Sequence, residues 1–419
     1  MIDYHCLPRN DVLCLDMKSF FASVEAVRLG LDPLKDFVVV VGDKTRSGSV
    51  VLAASPAMKE QYGIKTGNRL YEVPRHDKRI HVVEARMGDY LQASVAVTKL
   101  LNRFAPMEAI HIYSIDEAWI CVNGTRRLFG DRWQAAEKIQ SAIREELGLP
   151  SSIGIGPNKF LAKVILDIEA KKKGIAECQY EDVQKKLWPC PVGQIWGIGA
   201  KLERHLHGMG IRTLGQLANF PLERLKKRFG VIGEQLYYHA HGVDLSPCIG
   251  EQNMNVQKGI GHGITLLRDY VHTEEIKTVL LEISEEVARR ARKEKVAGKT
   301  VSLYVGYSRR EGGGGFHRSR TLERPTNITM DVYQACLQLF HETYDGRIVR
   351  SVAISLSKLI PDNELQMSLF DNLVKKRALG YIMDQIRAKY GATAILRAKS
   401  YTMGGTAIQR SRLIGGHKA

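Results

Sequence analysis

Hydrophobic positions in the first third of the chain switch repeatedly between strand and helix spacing. Asp11-Val-Leu-Cys-Leu-Asp16 alternates into a short buried strand that ends on an acid, and Met17-Lys-Ser-Phe-Phe-Ala-Ser-Val-Glu25 continues with the spacing of a helix to about Leu29. Phe37-Val-Val-Val-Val41 is a second buried strand. From Gly42 to about His81 the pattern loosens into a small inserted subdomain. An amphipathic helix follows over about 88–104, with Leu91, Val95, Leu100, Leu101 and Phe104 as its expected core stripe. The apolar runs Ala109-Ile-His-Ile112 and Trp119-Ile-Cys-Val122 flank Tyr113-Ser-Ile-Asp-Glu-Ala118, which reads as the mouth of a β-hairpin. A helix over about 131–147, the strand Ser151-Ser-Ile-Gly-Ile155 and a helix carrying Phe160, Leu161, Val164, Ile165 and Ile168 complete the segment, which ends in Lys171-Lys-Lys-Gly174. This order predicts an α+β, split βαβ sheet with helices on one face.

Beyond Gly174 the pattern changes. Trp196-Gly-Ile-Gly199 and the leucines that follow predict two short helices joined by glycine-rich turns, whose exposed N–H groups suit DNA phosphates. Gly197, Gly199 and Lys201 are the contact candidates there, with Leu222-Glu-Arg-Leu-Lys-Lys-Arg-Phe229 adding positive charge. A Gly-, Gln- and Asn-rich linker is expected near 242–263. A helix over about 273–296, the strand Thr300–Tyr307, the turn Ser308–Gly315, the strand Phe316–Leu322, a helix over about 329–343 and the strand Val349–Ser355 form a second α+β unit. Arg309, Arg318 and Arg320 mark its basic edge as a phosphate-tracking strand. After Pro361 a flexible basic tail is expected, folding only in part around a helical segment near 374–390.

Composition narrows the partners. The 419 residues carry a net charge of +16, which points to a polyanion, nucleic acid before an anionic membrane. No apolar run is long enough to span a bilayer and the N-terminus has no signal-peptide pattern, so a cytoplasmic protein is expected. Seven cysteines without a Cys-x-x-Cys pair suggest reduced thiols rather than disulfides or zinc.

Asp16, Asp116 and Glu117 are three acids at the mouths of strands in one expected sheet. Neighbouring residues of a strand point to opposite faces, so Asp116 and Glu117 reach one site only if the backbone bends there. Oxygen-only ligands suit Mg²⁺ or Mn²⁺. With a basic chain and DNA-shaped modules, they suggest two-metal phosphoryl transfer on a nucleic acid.

At these residues the sequence resembles the Y-family of translesion DNA polymerases. Asp16-Met-Lys-Ser-Phe-Phe-Ala-Ser-Val-Glu25 is similar to the family's first motif, Ser114-Ile-Asp-Glu-Ala118 to its third, and Ser152-Ile-Gly-Ile-Gly-Pro-Asn-Lys-Phe-Leu-Ala-Lys163 to the segment that follows. The Gly197-Ile-Gly199 region is similar to the thumb's helix-hairpin-helix. In detail the chain most resembles the UmuC-like branch of Gram-positive bacteria and their phages or plasmids.

The resemblance implies a multi-domain right-hand polymerase that copies damaged templates with low accuracy in DNA repair and the SOS response. Its ferredoxin-like palm would comprise 1–22 and 85–175, small fingers 23–84, the thumb 176–245, the little finger 255–360 and a basic C-terminal tail 361–419. By the same carry-over Asp16, Asp116, Glu117 and the Met17 carbonyl hold two Mg²⁺ ions, for which Mn²⁺ substitutes. Phe21 occupies the steric-gate position, Phe20 lies beside it, and Lys171 (or its neighbours Lys172 and Lys173) binds the triphosphate. Where many relatives carry a Tyr and an Arg in the fingers, this chain has Ser55 and Met58. Ser55 is carried as a nucleotide-contact candidate, and Lys59 or Arg69 could supply the missing charge. Gln366-Met-Ser-Leu-Phe370 is similar to the bacterial sliding-clamp binding peptide, with Gln366, Leu369 and Phe370 as its anchors. The partners implied are primer-template DNA, deoxynucleoside triphosphates, a sliding clamp and an accessory SOS protein, acting with a monomeric enzyme. A nucleotidyl cyclase also places acids on such a sheet but needs no helix-hairpin-helix. A non-catalytic DNA-binding relative would not need all three acids.

Overall fold

The computed structural model describes residues 2–250, 257–364 and 372–418. Two compact units are present, residues 1–254 with 417–419 and residues 255–416. In the first unit β1 (Val12–Met17) runs into α1 (Phe20–Arg28). Then come β2 (Phe37–Val41), β3 (Val51–Ala54), α2 (Pro56–Tyr62), β4 (Ile80–Glu84) and α3 (Met87–Leu101). The hairpin strands β5 (Ile110–Ile112) and β6 (Glu117–Cys121) lead to α4 (Arg132–Leu147), β7 (Ser151–Gly156), α5 (Lys159–Ile165) and β8 (Ile175–Glu177).

The larger sheet has the order β5-β6-β1-β7-β8, so β1 is central. Both parities of β1 are apolar, and a strand of that kind is covered on two sides. Leu13, Leu15 and Met17 join Ile120, Ile153 and Ile155 under α1, α3 and α4. Val12 and Cys14 join Trp119 under α5. The expected single helical layer is therefore two layers. Gly154 and Gly156 allow the second. A Cβ at Gly154 would lie 2.1 Å from the Ala162 carbonyl oxygen, and one at Gly156 2.6 Å from the Ala162 nitrogen, so any side chain there would lift α5 off β7.

The core stripe of α3 also departs from expectation. Tyr90, Val97, Leu100 and Leu101 are buried, whereas Leu91 and Val95 are about half exposed, at 44% and 53%. The inward face is set by Tyr90, an aromatic whose hydroxyl finds a buried partner. The inserted subdomain is a three-stranded sheet, β3-β2-β4, with β2 antiparallel to β3 and parallel to β4. It has its own small core of Val39, Val41, Val51, Met58, Leu70 and Val73. Further along this unit come the helices α6 (Ala200–Gly208), α7 (Leu214–Ala218), α8 (Leu222–Phe229) and α9 (Val231–Ala240).

The second unit is an antiparallel sheet in the order β11-β10-β12-β9. Its strands are β9 (Gly259–Tyr270), β10 (Val296–Tyr307), β11 (Gly315–Thr326) and β12 (Val349–Pro361), and α10 (Thr273–Lys293) and α11 (Thr329–Thr343) cover one face. Where a linker was expected to reach residue 263, β9 has already begun. Its glycines are packing residues rather than a hinge, since a Cβ at Gly263 would lie 2.7 Å from that of Ala353 on β12. The C-terminal segment is likewise not a free tail. The helix α12 (Leu373–Tyr390) and the turns after it lie against α10, tied by Arg387 and Arg397 to Glu285 at 2.9 and 3.0 Å. Thr406 donates its N–H (2.9 Å) and hydroxyl (2.6 Å) to the buried carboxylate of Glu282. The excess of Lys and Arg in this segment suggested a solvated chain, but acids on α10 offset that charge.

Candidate active site

Strand register brings the sheet acids together. Asp16 is the direct cross-strand partner of Glu117, and both share the pleat face of Val12, Cys14 and Trp119. Across that face lies α5, which widens at its C-terminal end into a π-helical turn, Leu166–Ala170, before the last turn Lys171–Lys173. Such a turn holds one residue more than an α-turn and is frequent at functional sites. It delivers Asp167 to the two sheet acids, so that carboxylate oxygens of Asp16, Glu117 and Asp167 lie within 4.8 Å of one another. Asp167 was not among the residues singled out from the sequence. The signal was present: Lys163, Asp167 and Lys171 follow one another at intervals of four, which places them along one helix face.

Asp116 stands apart from this cluster. It lies in the bend before β6 and, with Glu117, borders a small recess of about 20 Å³ also lined by Leu15, Met17, Val97 and Leu101. Its carboxylate accepts the Ser114 hydroxyl at 2.7 Å, and its carbonyl oxygen accepts the Met17 N–H at 3.0 Å. The backbone does bend over Ser114–Asp116, and Asp116 shares a recess with Glu117, but its carboxylate is bonded to Ser114 and is not one of the three that gather within 4.8 Å.

Two ammonium groups stand among the acids. The buried Lys163 lies 2.6 Å from Glu117 and 3.1 Å from Asp167, while the half-exposed Lys171 lies 2.9 Å from both Asp16 and Asp167. Among the three adjacent lysines, Lys171 is thus the one turned to the cluster, and Lys173 pairs with Glu169. Burial, then the proximity of Asp16, pushes the Glu117 carboxyl up to about 7 against the pull of Lys163. Burial works against the charge on Lys171, but Asp16 and Asp167 outweigh it and hold that lysine above its ordinary range. The acids are an all-oxygen donor set without His or Cys, which suits a hard divalent cation.

The aromatic pair divides between core and surface. Phe20 is buried in the core, and the half-buried Phe21 stacks on Tyr90 with ring centroids 4.3 Å apart at 14°. The Tyr90 hydroxyl donates to the fully buried Glu25 at 2.8 Å, and Glu25 also pairs with Arg86. In the inserted subdomain, Ser55 is buried and committed internally. Its hydroxyl accepts the Val38 N–H at 3.1 Å, donates to the Asp36 carbonyl at 2.7 Å and caps α2, so it has no free face for a nucleotide. Lys59, one turn further along, instead reaches the hydroxyl of Ser19 at 2.8 Å. Burial lowers its pKa, while Asp16 nearby opposes that shift.

In the helical hairpin Gly199 is the N-cap of α6, and Gly197 has a φ of +91°, which favours glycine; Lys201 is exposed beside them. In the second unit Arg309 and Arg318 are exposed. Arg320 is turned to the helix side, bonded to Gln338 at 2.5 Å and Glu342 at 2.6 Å, so its charge is already matched and it does not form part of an open basic edge. Strand alternation puts Phe316, Arg318, Arg320 and Leu322 on one face of β11; of its two arginines Arg320 is the one that α11 pairs, while Arg318 stays exposed. Gln366, Leu369 and Phe370 lie outside the described residues.

A sheet carrying an all-oxygen acid cluster, a small inserted subdomain, a set of short helices and an α+β unit beyond them is the setting in which the comparisons place this chain. The impB/mucB/samB family matches residues 15–167, its C-terminal domain residues 257–369, and the thumb domain of DNA polymerase iota residues 193–244. The chain is 53% identical over 423 residues to UvrX of Bacillus subtilis, named as a UV-damage repair protein, with 100% of both chains covered. It is 42% identical to DNA polymerase IV 2 of Bacillus subtilis (97% of this chain, 98% of that one) and 40% identical to DNA polymerase IV of Moorella thermoacetica (94% and 97%). A chimeric Y-family DNA polymerase built from Dbh and Dpo4 superposes with a TM-score of 0.67 at 24% identity, covering 84% of this chain and 99% of that one. The chain belongs to the impB/mucB/samB family of Y-family DNA polymerases. It is a translesion polymerase of the DNA-repair class. Among the described residues no helix is long and apolar enough to cross a membrane.

Proposed function

We propose that this chain adds deoxynucleotides to a primer 3′ end opposite damaged template bases in the cytoplasm, with Mg²⁺ held by Asp16 and Glu117. The observation that carries this reading is the cross-strand pairing of those two acids on the α5 face, joined there by Asp167. Asp116 would complete the ligand set by turning away from Ser114, and the Met17 carbonyl at the end of β1 is the expected main-chain ligand. Two bound ions supply activation of the primer hydroxyl and charge stabilisation of the departing pyrophosphate. Lys171 and Lys59 bring cationic groups to the triphosphate, and Phe21, braced by Tyr90, occupies the place where a ribose 2′-OH would clash. The backbone N–H groups near Gly197 and Gly199, with Lys201, hold template-primer phosphates without reading sequence, and Arg309 and Arg318 add charge along the duplex. The segment Gln366–Phe370 tethers the enzyme to a sliding clamp, raising its local concentration at primer ends. An accessory SOS protein remains a candidate partner of the monomer.

Primer extension on undamaged and abasic templates, with and without a bacterial sliding clamp, tests the reading. Asp16→Ala and Glu117→Ala should each abolish extension while leaving primer-template binding intact, and Phe370→Ala should abolish only the clamp's stimulation. Extension that survives both acid substitutions would refute the site.

A further inference from the structure

The acids of the active site already hold cations, and the two cations differ in freedom. Lys163 is enclosed, with 5% of its side chain exposed, and fixes Glu117 to Asp167. Lys171 is 43% exposed, stands at the end of the helix and bridges Asp16 to Asp167. Carboxylates this close repel unless positive charge lies between them. Lys171 supplies that charge from a side chain able to swing on a four-carbon stem. The π-turn positions it: Asp167 lies inside the turn and Lys171 directly after it.

We propose that Lys171 is a tethered counter-ion that occupies the cation position on Asp16 in the nucleotide-free enzyme, with Asp167 as the positioning residue on which it pivots. Arrival of a metal-bound nucleoside triphosphate would exchange partners. Lys171 leaves Asp16 for a phosphate oxygen while keeping Asp167, and Asp16 becomes available as a ligand. No covalent bond is made or broken in this exchange. The enzyme without nucleotide would then hold divalent cations weakly, so that cation and nucleotide enter together. This rests on the reading of Asp16 and Glu117 as the cation site, and it adds why that site resists occupation before substrate arrives.

The test is direct titration of the full-length protein with Mn²⁺, followed by electron paramagnetic resonance, with no nucleotide present. Removing one competing unit charge a few ångströms from the ligand should tighten binding in Lys171→Met by roughly tenfold, and Lys171→Arg, which keeps the charge, should bind as weakly as wild type. The double variant Lys171→Met/Asp16→Asn should lose the gained affinity. Equal Mn²⁺ affinity in wild type and Lys171→Met, or weaker affinity in the variant, would overturn the counter-ion role. Gained affinity that persists without Asp16 would instead place the ion elsewhere and overturn the underlying site assignment. Asp167→Asn supplies the second readout. With its pivot lost, Lys171 should meet the triphosphate less often, raising KM for dATP several-fold with a smaller change in kcat. An unchanged KM would remove Asp167 from the proposal. Thermal melting of each variant checks that the fold is kept.

Discussion

Arg292 and Asp384 are joined by two hydrogen bonds, from Nε to Oδ2 at 2.7 Å and from Nη2 to Oδ1 at 3.0 Å. The guanidinium is almost wholly buried, and its remaining Nη1 donates to the Asn327 carbonyl at 2.7 Å. Asp384 lies on α12, the C-terminal helix, and Gly380 one turn earlier packs against the guanidinium plane. A buried charge that loses its partner costs about 3–5 kcal/mol. Asp384→Ala should therefore lower the stability of residues 255–416 by an amount of that order, measured by urea denaturation of the full chain. A loss below about 0.5 kcal/mol, typical of a surface site, would show that the C-terminal helix is dispensable to this unit.

The stack of Phe21 on Tyr90 yields a separable pair of outcomes. Phe21→Ala should raise ribonucleotide incorporation at least tenfold relative to deoxynucleotide, since the clash with a 2′-OH disappears. Tyr90→Phe keeps the stack and removes only the hydroxyl donated to Glu25, a buried hydrogen bond worth about 1–3 kcal/mol when one partner is left unsatisfied. It should lower thermal stability and loosen sugar discrimination far less than the Phe21 change. Single-nucleotide insertion with dATP and ATP, beside melting curves, checks both. Equal discrimination in wild type and Phe21→Ala would remove Phe21 from the gate.

Much of the site was legible because strand alternation and motif spacing report the same geometry. Asp16 lies near the end of one apolar strand and Glu117 begins another, and the pleat dictates which neighbours share their face. The same parity argument raised the difficulty with Asp116, whose carboxylate is bonded to Ser114 rather than gathered with the other acids. What stayed hidden depended on backbone detail. The spacing of Lys163, Asp167 and Lys171 carried the signal for Asp167, but the π-turn that aims it at the sheet acids leaves no residue pattern, so the three lysines looked equivalent. Ser55 could be aligned with a nucleotide contact, but its burial under Val38 and Asp36 is a tertiary fact. The glycines of β9 read as a linker because their purpose, close approach to β12, is a property of the partner strand. The charge on the C-terminal segment suggested disorder because the acids that neutralise it lie on α10, about a hundred residues earlier in the chain.

The raised pKa of Glu117 sets the direction of a pH dependence. With a folded value of about 7 against an ordinary 4.5, this carboxyl favours the folded state fully below about 4.5, and that contribution is lost as pH rises through about 7. A divalent cation needs the ionised form, so its binding follows the opposite course. The gain in melting temperature on adding Mg²⁺ should be small at pH 6 and larger at pH 8, and Glu117→Gln should remove the difference. A gain that is equal at both pH values in wild type would show that Glu117 is already ionised at pH 6.

Lys59 and Ser55 lie one helical turn apart and should separate cleanly in kinetics. The Lys59 ammonium reaches Ser19, beside the strand that ends on Asp16 and Met17, so it is placed to meet an incoming triphosphate. Lys59→Ala should raise KM for each nucleotide several-fold with a smaller fall in kcat, because a phosphate-binding charge is lost and the acids are untouched. Ser55→Ala should behave differently. It removes the cap of α2 and leaves the buried Val38 N–H without its partner, costing about 1–3 kcal/mol of stability, yet KM at low temperature should stay near wild type. Steady-state primer extension on an undamaged template, paired with thermal denaturation, distinguishes the two. If Ser55→Ala raised KM as much as Lys59→Ala did, the serine would be acting on nucleotide despite its burial, and the fingers would have to open further than this conformation shows.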